Sequence, residues 1–152
     1  MKNIILAFSI LLVSNFYSQQ VQYPEPKEGY KKIELKLPKL KDEENYKIDV
    51  YVSIKSKLKK CEKETLEIDF KEDFLVKPRN IYLFYKIDSN TFATILQKIE
   101  NCEGNEIVEK KTYNSPLSLG YYSGITRYFY IPKYMNLEYR IWKVEPKFIE
   151  VK

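Results

Sequence analysis

The stretch Ile48-Asp-Val-Tyr-Val-Ser-Ile54 alternates apolar residues with other residues along its whole length. Successive side chains of an extended strand point to opposite faces, so this alternation predicts a β-strand with one buried face. The same period of two recurs before and after this stretch. Before this stretch, Ile33, Leu35 and Leu37 share one face of a predicted strand. After it, Leu66, Ile68 and Phe70 share one face of another.

Four more stretches predict strands, and together they set the fold class. Ile81–Ile87 is a dense apolar and aromatic run, which favours a strand buried on both faces. Pro38–Asn45 carries a charge run and predicts the loop between the first two strands, whereas Thr91–Ile99 shows a possible helical period. About seven short strands predict an all-β fold, an antiparallel sandwich or flattened barrel. The remaining predicted strands are Ile107–Tyr113, Ile125–Ile131 and Leu137–Val144.

The first 18 residues differ from the rest of the chain. Lys2 gives a positive start, Ile4–Val13 is an apolar run too short to span a bilayer, and Ser14–Ser18 is a polar exit. This order is typical of a secretory signal peptide. The predicted organisation is therefore a signal peptide over residues 1–18 and one domain over residues 19–152, located in the periplasm or secreted. No second apolar run is long enough to cross a membrane, so no membrane span is expected.

The composition argues against most enzyme classes. The chain contains no histidine, so it cannot build a Ser-His-Asp triad or a histidine-based zinc site. Its four glycines are not clustered, so no phosphate-binding loop is predicted. The net charge of +5 is mild and spread along the chain, which does not indicate a nucleic acid partner. We expect a protein that is not an enzyme and that uses no cofactor or metal.

Two cysteines in an exported chain predict one disulfide, between Cys61 and Cys102. They lie too far apart in sequence for a redox Cys-x-x-Cys pair. Closing a loop of about 40 residues should stabilise the fold by about 4 kcal/mol in the chain-entropy model.

Two segments of the chain carry a family resemblance. They are Tyr23-Pro-Glu-Pro-Lys-Glu-Gly-Tyr-Lys-Lys-Ile-Glu-Leu35 and Leu137-Glu-Tyr-Arg-Ile-Trp-Lys-Val-Glu-Pro-Lys147. Together they resemble ecotin, a family of secreted inhibitors of trypsin-fold serine proteases, which has a Tyr-Pro…Glu/Lys-Gly beginning and a Tyr-Arg-Val-Trp-Lys ending. The two cysteines fall in the family's places between them. The resemblance implies an ecotin-like all-β fold with an exchanged C-terminal arm, and a serine protease as partner.

The resemblance also implies a reactive loop immediately before Cys102. In ecotin this loop enters the protease active site as a substrate would, and the scissile bond lies between the third and second residues before the cysteine. Counting from Cys102 in the same way predicts Ile99 as P1, the residue on the amino side of that bond, and Glu100 as P1′. Lys98 is the alternative P1, because its ammonium suits an acidic pocket. The segment before Cys102 is longer here than in the family, and the family's Met-Met pair is absent.

Two further loops correspond to secondary protease contacts of the family. Leu119–Ser123 stands where ecotin usually has Leu-Arg-Tyr-Asn-Ser, so the resemblance implies possible contacts by Tyr121 and Tyr122. Lys77 and Arg79 stand near the place where ecotin has a Trp-Gly-Tyr-Asp pattern. Their positive charges would suit an acidic patch on the target protease. The alternative is that both loops are solvated turns.

The C-terminal arm is the best-matched segment. In ecotin the last strands of two protomers cross and pair, which implies a homodimer here with Tyr139, Ile141 and Trp142 in the arm. Such an apolar edge strand needs a partner. The alternative is a simple edge strand with Trp142 in the core of the monomer.

The sequence leaves open a function of another class, a secreted β-sandwich module that binds glycan or protein through its many tyrosines and inhibits nothing. A lysine cluster is compatible with a polyanion such as a sulfated glycan, although such a run is more often a solvated strand end. Its members are Lys55, Lys57, Lys59, Lys60 and Lys63.

Overall fold

The computed structural model describes residues 22–77, 80–88, 90, 92–145 and 150, so the predicted signal peptide lies outside the described residues. The described part of the chain forms ten β-strands and one short 3-10 helix, Glu43–Asn45. The strands are β1 (Tyr30–Leu35), β2 (Tyr46–Lys59), β3 (Glu62–Ile68), β4 (Lys71–Lys77), β5 (Asn80–Lys86), β6 (Phe92–Lys98), β7 (Ile107–Tyr113), β8 (Leu117–Gly120), β9 (Arg127–Pro132) and β10 (Asn136–Lys143).

The strands form two four-stranded sheets and a two-stranded ribbon. One sheet has the order β1-β9-β5-β4, and the other has the order β10-β2-β7 with β8 also paired to β2. The ribbon consists of β3 and β6. All pairs are antiparallel except β5 with β9. The predicted all-β fold with mainly antiparallel strands is confirmed.

Strand β2 organises the core. Its alternating residues Ile48, Val50 and Val52 are fully buried, as the period of two predicts. They belong to one core cluster with Phe129 and Ile131 of β9, so the core lies between the two larger sheets. Because β2 is 14 residues long, it extends beyond this core and carries β7 along its second half.

Three parts of the strand assignment differ from the prediction. Residues 92–98 form strand β6 instead of a helix, because they pair along their whole length with β3. Strands β4 and β8 were not predicted from the sequence pattern. In β5 burial on both faces is seen at two neighbouring residues, since Tyr85 stacks on Phe129 in the core and Phe84 packs edge-on against Tyr130 on the other face, whereas Leu83 is 42% exposed.

Asn114 connects β7 to β8 along the same edge of β2. Its backbone N–H donates to the Val52 carbonyl at 3.2 Å, and its side-chain Oδ1 accepts from the Val52 N–H at 2.7 Å. The residue is buried, so the side chain replaces a strand partner where the ladder is interrupted.

We predict that Asn114→Ala lowers the free energy of unfolding by about 1–3 kcal/mol, because it leaves the buried Val52 N–H without an acceptor. Urea unfolding measures the effect. Ser115→Ala is the control, since Ser115 is exposed, and we expect a change within about 0.5 kcal/mol. Equal stability of the two variants would contradict this role for Asn114.

Candidate functional site

The disulfide between Cys61 and Cys102 is present, as predicted, with the two Cα atoms 5.5 Å apart. Cys61 lies in the turn between β2 and β3, and Cys102 follows the end of β6. The bond therefore fastens the end of β6 to the start of its partner strand β3. This arrangement gives the segment before Cys102 two attachments, one covalent and one through the β3–β6 ladder.

The β3–β6 ribbon runs from the core to the disulfide. At its inner end Leu66 is buried, and Ile68 and Phe92 pack against the core. Towards the disulfide the side chains of β6 become exposed, and Leu96 is 58% exposed. Among the described residues β6 pairs only with β3, so its other edge is free. A free edge can accept a strand from another protein.

The predicted reactive residues lie together at the end of this ribbon. Lys98 is the last residue of β6, and Glu100 and Asn101 form a turn. The Ile99 N–H donates to the Cys61 carbonyl at 2.7 Å, while the Ile99 side chain is 41% exposed. Asn101 has a φ of 55°, a left-handed conformation that asparagine tolerates better than most residues. The Ile99–Glu100 bond therefore lies at the start of a tight turn.

An open cavity of about 370 Å³ lies beside the disulfide. Glu62 and Lys98 are opposite each other in the ribbon and line it, together with Lys59 and Leu96. Glu62 accepts a hydrogen bond from the Lys59 backbone N–H, and no ion pair joins Glu62 to Lys98 in the part of the chain that the structure describes. The Lys98 ammonium is thus available to a partner.

The two tyrosines predicted as secondary contacts have different environments. Tyr122 is 62% exposed and fits a surface contact. Tyr121 is only 2% exposed and its hydroxyl donates to the Pro38 carbonyl, which corrects its assignment as a contact residue. Its ring belongs to the core cluster, because the backbone turns inward immediately after β8 ends at Gly120. Lys77 is exposed at the end of β4, and Arg79 lies outside the described residues.

Glu43 holds the Tyr122 loop in place. The backbone N–H and the hydroxyl of Ser123 both donate to the Glu43 carboxylate. Both hydrogen bonds lower the pKa of Glu43 below its usual value, and the one from the Ser123 hydroxyl has the larger effect. Arg127 fixes the loop from the other side by donating to the carbonyls of Tyr122 and Gly120.

A groove of about 410 Å³ adjoins Tyr122, and no pattern in the sequence predicts it. It brings together side chains from distant strands, which sequence spacing cannot reveal. Leu83 and Ile125 contribute exposed apolar surface, and Tyr23 and Tyr82 contribute aromatic rings packed edge to face.

The C-terminal arm, β10, pairs with β2 of the same chain from Asn136–Ser53 to Lys143–Tyr46. Trp142 is 43% exposed, with the Lys47 ammonium 5.9 Å from its ring centre. The alternative prediction is therefore wrong in placing Trp142 in the monomer core, although β10 does lie at the edge of its sheet among the described strands. Tyr139 and Ile141 are also partly exposed, on the opposite face of the strand. Within the described residues β10 has no second strand neighbour.

Glu138 ties this arm to the rest of its sheet. Its carboxylate accepts hydrogen bonds from the Ser53 hydroxyl at 2.7 Å and the Tyr113 hydroxyl at 3.2 Å, and it forms an ion pair with Lys111 at 2.6 Å. The interaction with Lys111 has the largest effect on the pKa of Glu138 and lowers it. The hydrogen bond from Ser53 lowers it further. The same contact raises the pKa of Lys111.

This lowered pKa predicts an acid-sensitive contribution to stability. The contribution is complete above the ordinary glutamate value of 4.5 and is lost as the pH falls through the lower folded pKa. Glu138→Gln removes that titration, so we expect the melting temperature of the wild type to fall more steeply than that of the variant between pH 5 and pH 3. Thermal unfolding at a series of pH values measures this, and parallel curves would contradict it.

Neither a metal site nor a membrane span is evident in residues 22–77, 80–88, 90, 92–145 and 150. No group of three or more potential metal ligands is found within these ranges. No helix there is long and apolar enough to cross a membrane.

Comparison with known proteins identifies a family. A protein-family model described as Ecotin matches residues 19–144, which include both cysteines, the β3–β6 ribbon and the whole of β10. A comparison with curated proteins finds no match.

Proposed function

Because this chain belongs to the ecotin family, a family of serine protease inhibitors, we propose that it inhibits trypsin-fold serine proteases through the segment before Cys102. That segment would enter the protease active site as a slowly processed substrate. Counting from the cysteine places the scissile bond at Ile99–Glu100, and Lys98 is the alternative P1.

The observation that carries this proposal is the double attachment of the segment. It is paired with β3 along its length and fastened by the Cys61–Cys102 disulfide at its end. A segment that is already extended loses little conformational entropy when a protease binds it. Both sides of a cleaved bond would stay in place, which favours re-formation of the bond.

We propose that the chain acts as a homodimer. The support is the match of the family model across β10, together with the partly exposed Tyr139, Ile141 and Trp142 on a strand with a free edge. The second protomer would bring a further contact surface to the protease. Tyr122, Lys77 and Arg79 are the proposed secondary contacts, and the groove beside Tyr122 enlarges the apolar surface there.

We also propose that residues 1–18 direct export and that residues 19–152 form the inhibitor domain in the periplasm or outside the cell. The charge and apolar pattern of the first 18 residues supports this. The disulfide suits an oxidising compartment.

Active-site titration tests the proposal. Purified protein is added in increasing amounts to trypsin, chymotrypsin and elastase, and the remaining activity is measured. We expect activity to fall in proportion to the protein added, with about one protease bound per protomer. Papain and subtilisin, which have other folds, are the controls and should keep their activity. Full activity of all three trypsin-fold enzymes would reject the proposal and favour a binding module without inhibitory activity.

A further inference from the structure

We infer that Lys98 is the P1 residue, so that Lys98–Ile99 is the scissile bond held in the active site of the inhibited protease. The target protease then has an acidic specificity pocket. This inference rests on the proposed function, and it selects the alternative P1 over Ile99. It follows from the hydrogen-bond register of the ribbon.

Antiparallel strands alternate between residue pairs that exchange backbone hydrogen bonds and pairs that do not. The Ile99 N–H donates to the Cys61 carbonyl, so Cys61–Ile99 is a bonded position. In the observed register Lys63–Gln97 is therefore also a hydrogen-bonded pair, whereas Glu62–Lys98, between them, is a non-hydrogen-bonded pair. The N–H and C=O groups of Lys98 and Leu96 therefore point away from β3, to the free edge.

A substrate segment adds to a strand of the protease in the same antiparallel manner. By the same alternation, P1 and the residue two positions earlier direct their backbone groups to the protease, and the residue between them does not. Lys98 as P1, with Gln97 and Leu96 before it, satisfies this without breaking any bond of the ribbon. Ile99 as P1 would require loss of its 2.7 Å hydrogen bond to Cys61.

Leu96 has the same backbone orientation as Lys98, but its position is less favourable. The Leu96–Gln97 bond lies inside β6, with paired residues on both sides. Lys98 is the last residue of the strand, and the turn at Glu100–Asn101 follows. The bond after Lys98 is thus at the end of the ribbon, where an active-site cleft can enclose it.

The contacts of Ile99 suit it to be the leaving amine. In the cleavage step the protease serine oxygen bonds to the Lys98 carbonyl carbon, the C–N bond to Ile99 breaks, and the serine proton passes through the protease histidine to the Ile99 nitrogen. That nitrogen stays near the acyl group for two reasons. It is hydrogen-bonded to the Cys61 carbonyl, and the disulfide holds Cys102 to Cys61. It can attack the ester, return the proton to the serine oxygen and re-form the amide.

The side chain of Lys98 then defines the class of protease. It is an exposed ammonium with no ion pair to any described residue. An ammonium on a long apolar stem fits a deep pocket with a carboxylate at its base, which is the trypsin type.

Inhibition constants of three variants, compared with the wild type, test this inference. Lys98→Leu should weaken inhibition of trypsin by about 100-fold or more, because the pocket carboxylate loses its buried partner. Lys98→Arg keeps the charge and should retain inhibition within about 10-fold. Lys133→Leu removes an exposed lysine of the β9–β10 turn and should change nothing beyond about 3-fold. Lys98→Leu should also strengthen inhibition of chymotrypsin, which a merely unfolded variant would not do.

Sequencing of the cleaved inhibitor gives an independent readout. After long incubation with trypsin at mildly acidic pH, a new N-terminus at Ile99 supports the inference. A new N-terminus at Glu100 or Gln97, or unchanged trypsin inhibition by Lys98→Leu, overturns it while the proposed function stands. Absence of inhibition of every serine protease overturns both.

Discussion

Replacing Cys61 and Cys102 together with serine should lower the free energy of unfolding by about 4 kcal/mol and convert the inhibitor into a substrate. The disulfide joins residues 41 positions apart, so its loss greatly increases the freedom of the unfolded chain. It also releases the end of β6. After cleavage the new amine would diffuse away from the acyl group, and inhibition of trypsin would be temporary.

Two measurements separate these effects. Urea unfolding gives the stability loss, and trypsin activity followed for hours gives the lifetime of inhibition. Asn114→Ala is a useful comparison, because it destabilises the core while leaving the disulfide intact. We expect that variant to inhibit for as long as the wild type at a temperature where both are folded. Lasting inhibition by the double serine variant would show that the ribbon alone holds the cleaved ends.

Deleting Trp142–Lys152 should abolish the dimer and yield a monomer or an insoluble chain. The deletion removes the last two residue pairs of β10 with β2 and the hydrogen bond from the Val144 N–H to the Asn45 carbonyl. It also removes the exposed Trp142 ring. Inhibition should survive in a soluble monomer but weaken, because a dimer adds affinity through effective concentration.

Light scattering at micromolar concentration measures the assembly state. Ile141→Asp keeps the chain length and places a charge in the arm, so it should also dissociate the dimer. Tyr134→Ala is the control, since it removes an exposed aromatic residue of the β9–β10 turn outside the arm. A wild type that is monomeric at this concentration would refute the proposed dimer.

The sequence predicted the strands whose two faces differ most. In strand β2 the apolar residues alternate with Asp49, Tyr51 and Ser53, so the period of two is clear in the sequence, even though Asp49 and Ser53 are buried as well. In β6 the adjacent apolar residues Ile95 and Leu96 obscure the alternation, and both are substantially exposed because the ribbon extends from the core. Strand β4 is a mostly exposed edge strand rich in charge, so no buried face marks it in the sequence.

The candidate site was predictable only where chemistry alone decides. The disulfide was predictable from two cysteines in a chain that we expect to be exported. The burial of Tyr121 was not predictable, since two adjacent tyrosines look alike until the course of the backbone is known. The backbone orientation at Lys98 was not predictable either, because it depends on the register between β3 and β6, which are separated by two other strands in the chain.

Displacement of aminobenzamidine from trypsin tests the central claim most directly. This fluorescent amidine fills the acidic pocket of the active site, and a segment bound like a substrate must expel it. We predict complete displacement, with about one equivalent of protomer needed per trypsin molecule. A saturating amount of the protein that leaves the probe in the pocket would contradict insertion of the segment before Cys102 into the active site.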